Sequence, residues 1–272
     1  MELIERLRSF KHNNVLSRLG AIRRGQSWSP ANGAKPAATP KEPENPLREF
    51  FHSRKQGRGI WKWDHYFEIY HRHFAPFRNT PVNIVEIGVL GGGSLDMWRQ
   101  YFGLQASIFG VDIDPACTAY ETDGVKIFIG NQKDRNFWHN FRAAVPKIDI
   151  VIDDGCHMSL HQITTLEELL PAITPGGVYL CEDIHREENA FSSYVHGLIS
   201  SLNRFDYSDN LDNPERRMVC KPSPVQQHIR AISVYPYVTV IEKSSAVVPE
   251  LISTMHGTEW EPPRQVEIKR AG

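Results

Sequence analysis

Apolar positions along the chain change their rhythm several times. In residues 1–24, Leu3, Leu7, Phe10, Leu16, Leu19 and Ile22 recur at helical spacing, interrupted by His12-Asn13-Asn14; the spacing predicts an amphipathic helical arm. Over 25–46 the rhythm disappears into Ser, Ala, Asn, Gly and Lys with five prolines, which reads as a flexible linker with almost nothing to bury. Over 47–80 aromatic residues crowd in, among them Phe50, Phe51, Trp61, Trp63, Tyr66, Phe67, Tyr70, Phe74 and Phe77. The later ones predict a helix ending near Pro76.

From 81 to 245 short β-branched runs alternate with helix-like stretches. Candidate strands are 82–87, 107–111, 125–129, 148–152 and 177–181. Their continuous apolar character predicts strands buried on both faces, hence a largely parallel sheet with helices on each side. A helix is expected over 190–202, then strands over 231–234 and 237–241. Only Tyr235-Pro236 links these two, and so short a connection forces an antiparallel hairpin. The class is α/β: five parallel strands plus a C-terminal antiparallel hairpin, followed by a tail over 246–272.

Composition agrees with a globular α/β protein: 272 residues, 40% hydrophobic and 23% charged. No apolar run approaches the ~18–20 residues of a membrane span, and the N-terminus lacks a signal-peptide pattern, so a cytoplasmic protein is expected. Cys117, Cys156, Cys181 and Cys220 are widely spaced, form no C-x-x-C pair and read as reduced thiols. The net charge of −1 gives no global attraction to nucleic acid. It conceals a balance of +7 over residues 1–60 and −8 over the rest. The basic end is expected to be a solvated arm or one that packs on another subunit of a homo-oligomer, with contact to an anionic surface as the alternative.

Candidate chemistry starts after the first strand, at Glu86-Ile87-Gly88-Val89-Leu90-Gly91-Gly92-Gly93-Ser94. Glycines at Gly88 and Gly91 let the backbone turn beneath a ligand, and the helix opening near Ser94 offers free N–H groups. Such a turn also serves nicotinamide-dependent oxidoreductases. Two acids sharpen the reading. Glu86 lies within the strand, where a charge needs a partner, and Asp112 closes the second strand, placed to accept the ribose hydroxyls of an adenosine. Asn131 and Gln132, after Gly130 beyond strand three, sit where a loop covers the adenine edge.

Strand four ends in Asp153-Asp154-Gly155-Cys156-His157 and strand five in Glu182-Asp183-Ile184-His185. Ligands bind beyond the carboxyl ends of such strands, where these groups are expected to converge. Crowded carboxylates raise one another's pKa unless a cation neutralises them, and all-oxygen ligands favour Mg²⁺, with Mn²⁺ or Ca²⁺ also suited. Side chains alternate at a strand end, so Asp153 and Asp154 should not both face a metal. Solvated turns and helix caps are the structural alternative for these acids. Met158 between His157 and His161 excludes H-E-x-x-H, and Gly92-Gly93-Ser94-Leu95-Asp96 lacks the last glycine of a nucleophile elbow.

In combination, Glu86-Ile87-Gly88, Asp112, Gly130-Asn131-Gln132, Asp153 through His157 and Glu182-Asp183 resemble the metal-dependent macrolide and rhamnosyl sugar O-methyltransferases of the mycinamicin and tylosin type. The similarity covers about residues 60–245, including Trp63-Asp64-His65-Tyr66 and Glu242-Lys243. The resemblance implies a Rossmann-like class I methyltransferase fold and S-adenosyl-L-methionine (SAM) as methyl donor. It further implies Mg²⁺ held by Asp154, Glu182 and Asp183, with His157 as general base. The cofactor would then meet Glu86, Gly88, Gly91, Ser94, Asp112, Asn131, Gln132 and Asp153. Metal plus base suits a vicinal diol, and the resemblance implies one on the sugar of a glycosylated natural product; a catechol-type O-methyltransferase shares that logic.

Overall fold

The computed structural model describes residues 17, 19–29, 44–185, 189–204, 217–254 and 256–257. Residues 19–26 form helix α1, in a unit covering residues 1–44; a second unit begins at Asn45. Residues 1–16 of the expected arm and 30–43 of the expected linker lie outside the described residues.

In the second unit, α2 (Pro46–Ser53) starts where Asn45 accepts hydrogen bonds from the N–H groups of Leu47 and Arg48, with proline at the first helical position. The aromatic helix α3 (Tyr66–Phe74) ends in a 3₁₀ turn at Ala75–Phe77. Then come β1 (Asn83–Ile87), α4 (Gly93–Phe102), β2 (Ser107–Asp112), β3 (Val125–Ile129), α5 (Arg135–Ala144), β4 (Ile148–Asp153), α6 (Ser159–Leu169) and β5 (Ile173–Cys181). Helix α7 (Ala190–Leu202), β6 (Arg217–Cys220), α8 (Pro224–His228), β7 (Ile229–Tyr235), β8 (Val238–Lys243) and β9 (Leu251–Thr254) follow among the described residues.

Seven strands form one sheet in the order β3-β2-β1-β4-β5-β8-β7. The first five pair in parallel, and β8 joins β5 antiparallel before turning into β7. Five parallel strands with a terminal hairpin match the sequence pattern. A further antiparallel pair, β6 with β9, was not legible there; β9 falls within the stretch read as a tail.

Alternation along the strands sorts the side chains between two cores. Ile84, Ile150, Ile152, Val178 and Leu180 pack with Leu47, Tyr70 and Trp98 on the face of α2, α3 and α4. Val85, Val151, Tyr179 and Cys181 pack with Trp138, Leu166 and Phe191 on the face of α5, α6 and α7. This period of two decides where every acid at the strand ends points. Among the described residues no helix is long and apolar enough to cross a membrane.

Candidate active site

The turn after β1 is held to β2 and lies against the chain just beyond β4. Gly88 has φ 89°, its N–H donates to the Val111 carbonyl at 2.9 Å, and a Cβ built on it would lie 2.0 Å from the Asp154 carbonyl oxygen. Only glycine fits there. At the start of α4 a Cβ on Gly93 would meet the Gly59 carbonyl oxygen at 2.4 Å, and the Gly93 N–H donates to that oxygen at 3.0 Å. Arg54 and Arg58 hold the same upstream segment by ion pairs to Asp96 at 2.7 and 3.3 Å.

Beside this turn opens a cavity of about 740 Å³ along the carboxyl ends of the strands. Eight of the residues singled out in the sequence line it: Gly88, Asp112, Asn131, Gln132, Asp154, His157, Glu182 and Asp183. Asp112 accepts from the N–H groups of Val89 and Leu90 at 2.9 and 3.0 Å and from Asp114 at 2.9 Å. Burial raises the pKa of Asp112, but these hydrogen bonds outweigh it and hold the carboxyl below its ordinary value. Three of its roughly four acceptor positions are then in use.

Four residues expected at the cofactor do not line the cavity, and strand alternation explains two of them. Glu86 shares the α4 face with Ile84, where it is fully buried and accepts from Ser94 Oγ at 2.9 Å and Trp98 Nε1 at 2.8 Å. Ser94 is thereby turned inward, and Gly91 packs against Gly59. Burial pushes the Glu86 carboxyl up to about 7 against the pull of Lys62 and its two donors. Asp153 points to the opposite face, buried, and accepts from Tyr179 Oη at 2.9 Å and Gln132 Nε2 at 2.6 Å. Burial lifts it to about 7 as well. Gln132 Oε1 accepts from the Cys156 N–H at 3.2 Å, so the Asp153–Gln132 pair braces the loop beneath the cavity.

Asp154 and Glu182, one residue beyond β4 and β5, emerge on the α3 face. Asp154, His157 and Asp183 each offer a ligand atom within 4.8 Å of the others. His157 Nε2 lies 3.9 Å from Asp154 Oδ1 and 3.6 Å from Asp183 Oδ2. His157 and Asp183 both adopt left-handed backbone conformations, φ 56° and 51°, a strain that functional residues often carry. The buried Nδ1 of His157 has no hydrogen-bond partner among the described residues. Two carboxylates and one imidazole make a set of three ligand groups whose carboxylate oxygens suit a hard divalent cation.

Glu182 stands outside this cluster. Its carboxylate accepts from Tyr70 Oη at 2.6 Å and from Lys62 Nζ at 2.9 Å, and Lys62 also donates to Asp154 Oδ2. Asp183 accepts from Tyr66 Oη at 2.7 Å and Trp63 Nε1 at 3.1 Å. Burial and the Asp154 charge push Glu182 up, while Lys62 and Tyr70 pull the other way. Burial would lower the pKa of Lys62, but the carboxylates of Asp154, Glu182 and Glu86 more than offset it, and the ammonium stays charged. Sequence reasoning overlooked Lys62, Tyr66 and Tyr70. The signal for the tyrosines was their i,i+4 spacing on one aromatic helix, which puts two hydroxyls on the same face.

A parallel sheet with a glycine turn after its first strand, an acid closing its second, and an antiparallel hairpin at the fifth-strand edge is the class I methyltransferase fold. Within that class the chain resembles the sugar O-methyltransferases of antibiotic pathways. It is 30% identical to the 8-demethyl-8-alpha-L-rhamnosyl tetracenomycin-C 2'-O-methyltransferase of Streptomyces olivaceus over 70% of this chain and 53% of that protein. It is 31% identical to the demethylmacrocin O-methyltransferase of Streptomyces fradiae over 73% of this chain and 52% of that one. The MycE methyltransferase of the mycinamycin pathway, solved with Mg, SAH and mycinamycin VI, superposes with a TM-score of 0.60 at 27% identity, covering 75% of this chain and 54% of MycE. The chain thus spans about half the length of the relatives it matches. No protein-family model matches it.

Proposed function

We propose that the protein is a SAM- and Mg²⁺-dependent O-methyltransferase that acts on a hydroxyl of a vicinal diol on the sugar of a glycosylated natural product. One observation carries this reading: a single cavity holds Asp112 and Asn131 at one part of its lining and Asp154, His157 and Asp183 at another. Adenosine recognition and diol chemistry then share one space. When bound, the sulfonium supplies an electrophilic methyl group and the divalent cation stabilises negative charge on the reacting oxygen.

The remaining work belongs to the chain. Asp112, kept ionised by backbone N–H groups, accepts a ribose hydroxyl. Asp154 and Asp183, with Glu182 as the third ligand, would hold the cation. His157 Nε2 would take the proton of the hydroxyl that receives the methyl group. Trp63 and Tyr66 keep the Asp183 carboxylate oriented.

A second assignment of the ligands follows from the cluster itself, in which His157 rather than Glu182 accompanies the two aspartates. His157→Ala separates them: a base leaves Mn²⁺ binding intact, a ligand does not. The overall test incubates the protein with SAM, Mg²⁺ and either a deoxysugar glycoside or a catechol, and reads the gain of one CH₂ by mass spectrometry. The glycoside is expected to react, chelation by EDTA to stop it, and His157→Ala to slow it on the order of 10²–10⁴-fold. Unchanged turnover with EDTA or in the variant would sink the proposal. The same reading has the enzyme acting in the cytoplasm as a homo-oligomer without nucleic acid, an assembly that sedimentation of the full chain measures.

A further inference from the structure

Lys62 is the least expected member of the acidic centre. It lies on an irregular strap before α3, between the exposed Trp61 and Trp63. Its side chain is only 3% exposed, and the ammonium touches Asp154 and Glu182 at once, on β-strand ends 92 and 120 residues away. The next residue of the strap, Trp63, donates to Asp183. Two consecutive side chains thus reach all three carboxylates that the proposed function assigns to the metal. A buried lysine that long is costly to order and to desolvate, and it persists here because two carboxylates would otherwise face each other without a counter-charge.

The geometry points to Lys62 as an internal stand-in cation: its ammonium occupies the Asp154–Glu182 side of the metal site, and a divalent ion must displace it to acquire Glu182. This rests on the metal-dependent reading of the site. The two cations compete for the same carboxylates, so Lys62 holds the site together when metal is absent and sets how tightly metal is bound. Like charges at such range repel, so each weakens the other's hold on the pair. Lys62→Met removes the charge while keeping an unbranched chain of similar length.

Titration of metal-stripped protein with Mn²⁺, followed by calorimetry, is expected to show Lys62→Met binding on the order of 10- to 100-fold tighter than the natural sequence. The metal-free variant should melt lower and recover on adding Mn²⁺. A wild-type measurement guards against a variant that does not fold: hydrogen–deuterium exchange in the 60–64 strap should speed up on saturation with Mg²⁺ as the ammonium leaves. Equal or weaker binding by Lys62→Met, or a strap that exchanges no faster with Mg²⁺, overturns the inference while leaving metal dependence standing. If neither protein binds Mn²⁺, the metal-dependent reading falls and takes this inference with it.

Discussion

Replacing Glu86 by glutamine should stabilise the protein at alkaline pH and do little at acid pH. Its carboxyl is fully buried between Ser94 and Trp98, and burial moves it from 4.5 to about 7. A folded-state pKa above the unfolded one means that the native state holds its proton longer. The favourable contribution is complete below about 4.5 and is lost as the pH rises through about 7. At ~1.36 kcal/mol per unit, that shift amounts to about 3 kcal/mol. Glutamine is isosteric and neutral: its carbonyl accepts from Trp98 Nε1, and its amide donates to Ser94 Oγ, which reverses its own bond. Trp98 Nε1 thus keeps its acceptor. Asp153 and Glu182 are also pushed up and impose the same sign on the wild type, so only the difference between variant and wild type isolates Glu86. Urea unfolding at pH 4 and pH 8.5 supplies it. Glu86→Gln should be nearly neutral at pH 4 and more stable by about 3 kcal/mol at pH 8.5. A difference that does not change with pH would refute the reasoning.

Three other outcomes follow from the same geometry. Gly88→Ala places a Cβ 2.0 Å from the Asp154 carbonyl oxygen at φ 89°; it should cost at least ~2 kcal/mol in urea unfolding. Tyr70→Phe removes the hydroxyl that donates to Glu182 at 2.6 Å and should cost about 1.5–3 kcal/mol, read in the same assay. Asp112→Asn, by weakening both the loop N–H contacts and the proposed ribose contact, should lower affinity for S-adenosylhomocysteine by roughly 10- to 100-fold in calorimetry.

The sheet was readable because its central parallel strands, β1 and β4 above all, are buried on both faces and rich in Val and Ile, and the hairpin because two residues cannot make a crossover. Pairing of β6 with β9 escaped detection for the converse reason: Leu251–Thr254 is exposed throughout and has no alternation to mark it. At the site, residue type and position at a strand end located the acids, and eight of the twelve residues singled out do line one cavity. Side-chain direction separates the others. Glu86 and Asp153 sit within strands, so the pleat assigns them to the two cores rather than to the opening beyond the strand ends. Lys62 had no periodicity to announce it, since its partners are brought to it only by the assembled sheet.

The carbonyl of Gly59, lodged against the first turn of α4, bears on what this glycine-rich turn can host. Where a dinucleotide lies across such a fold, its pyrophosphate rests on the opening amides of the helix. Here the amide of Gly93 is already spent on a protein oxygen, and a phosphate brought to that spot would set one electronegative atom against another. The two arginines that tether the segment face Asp96, which leaves their charge occupied too. A pyrophosphate laid across this turn would have to do without that amide, whereas a ligand carrying a positive sulfur and no phosphate has no need of it.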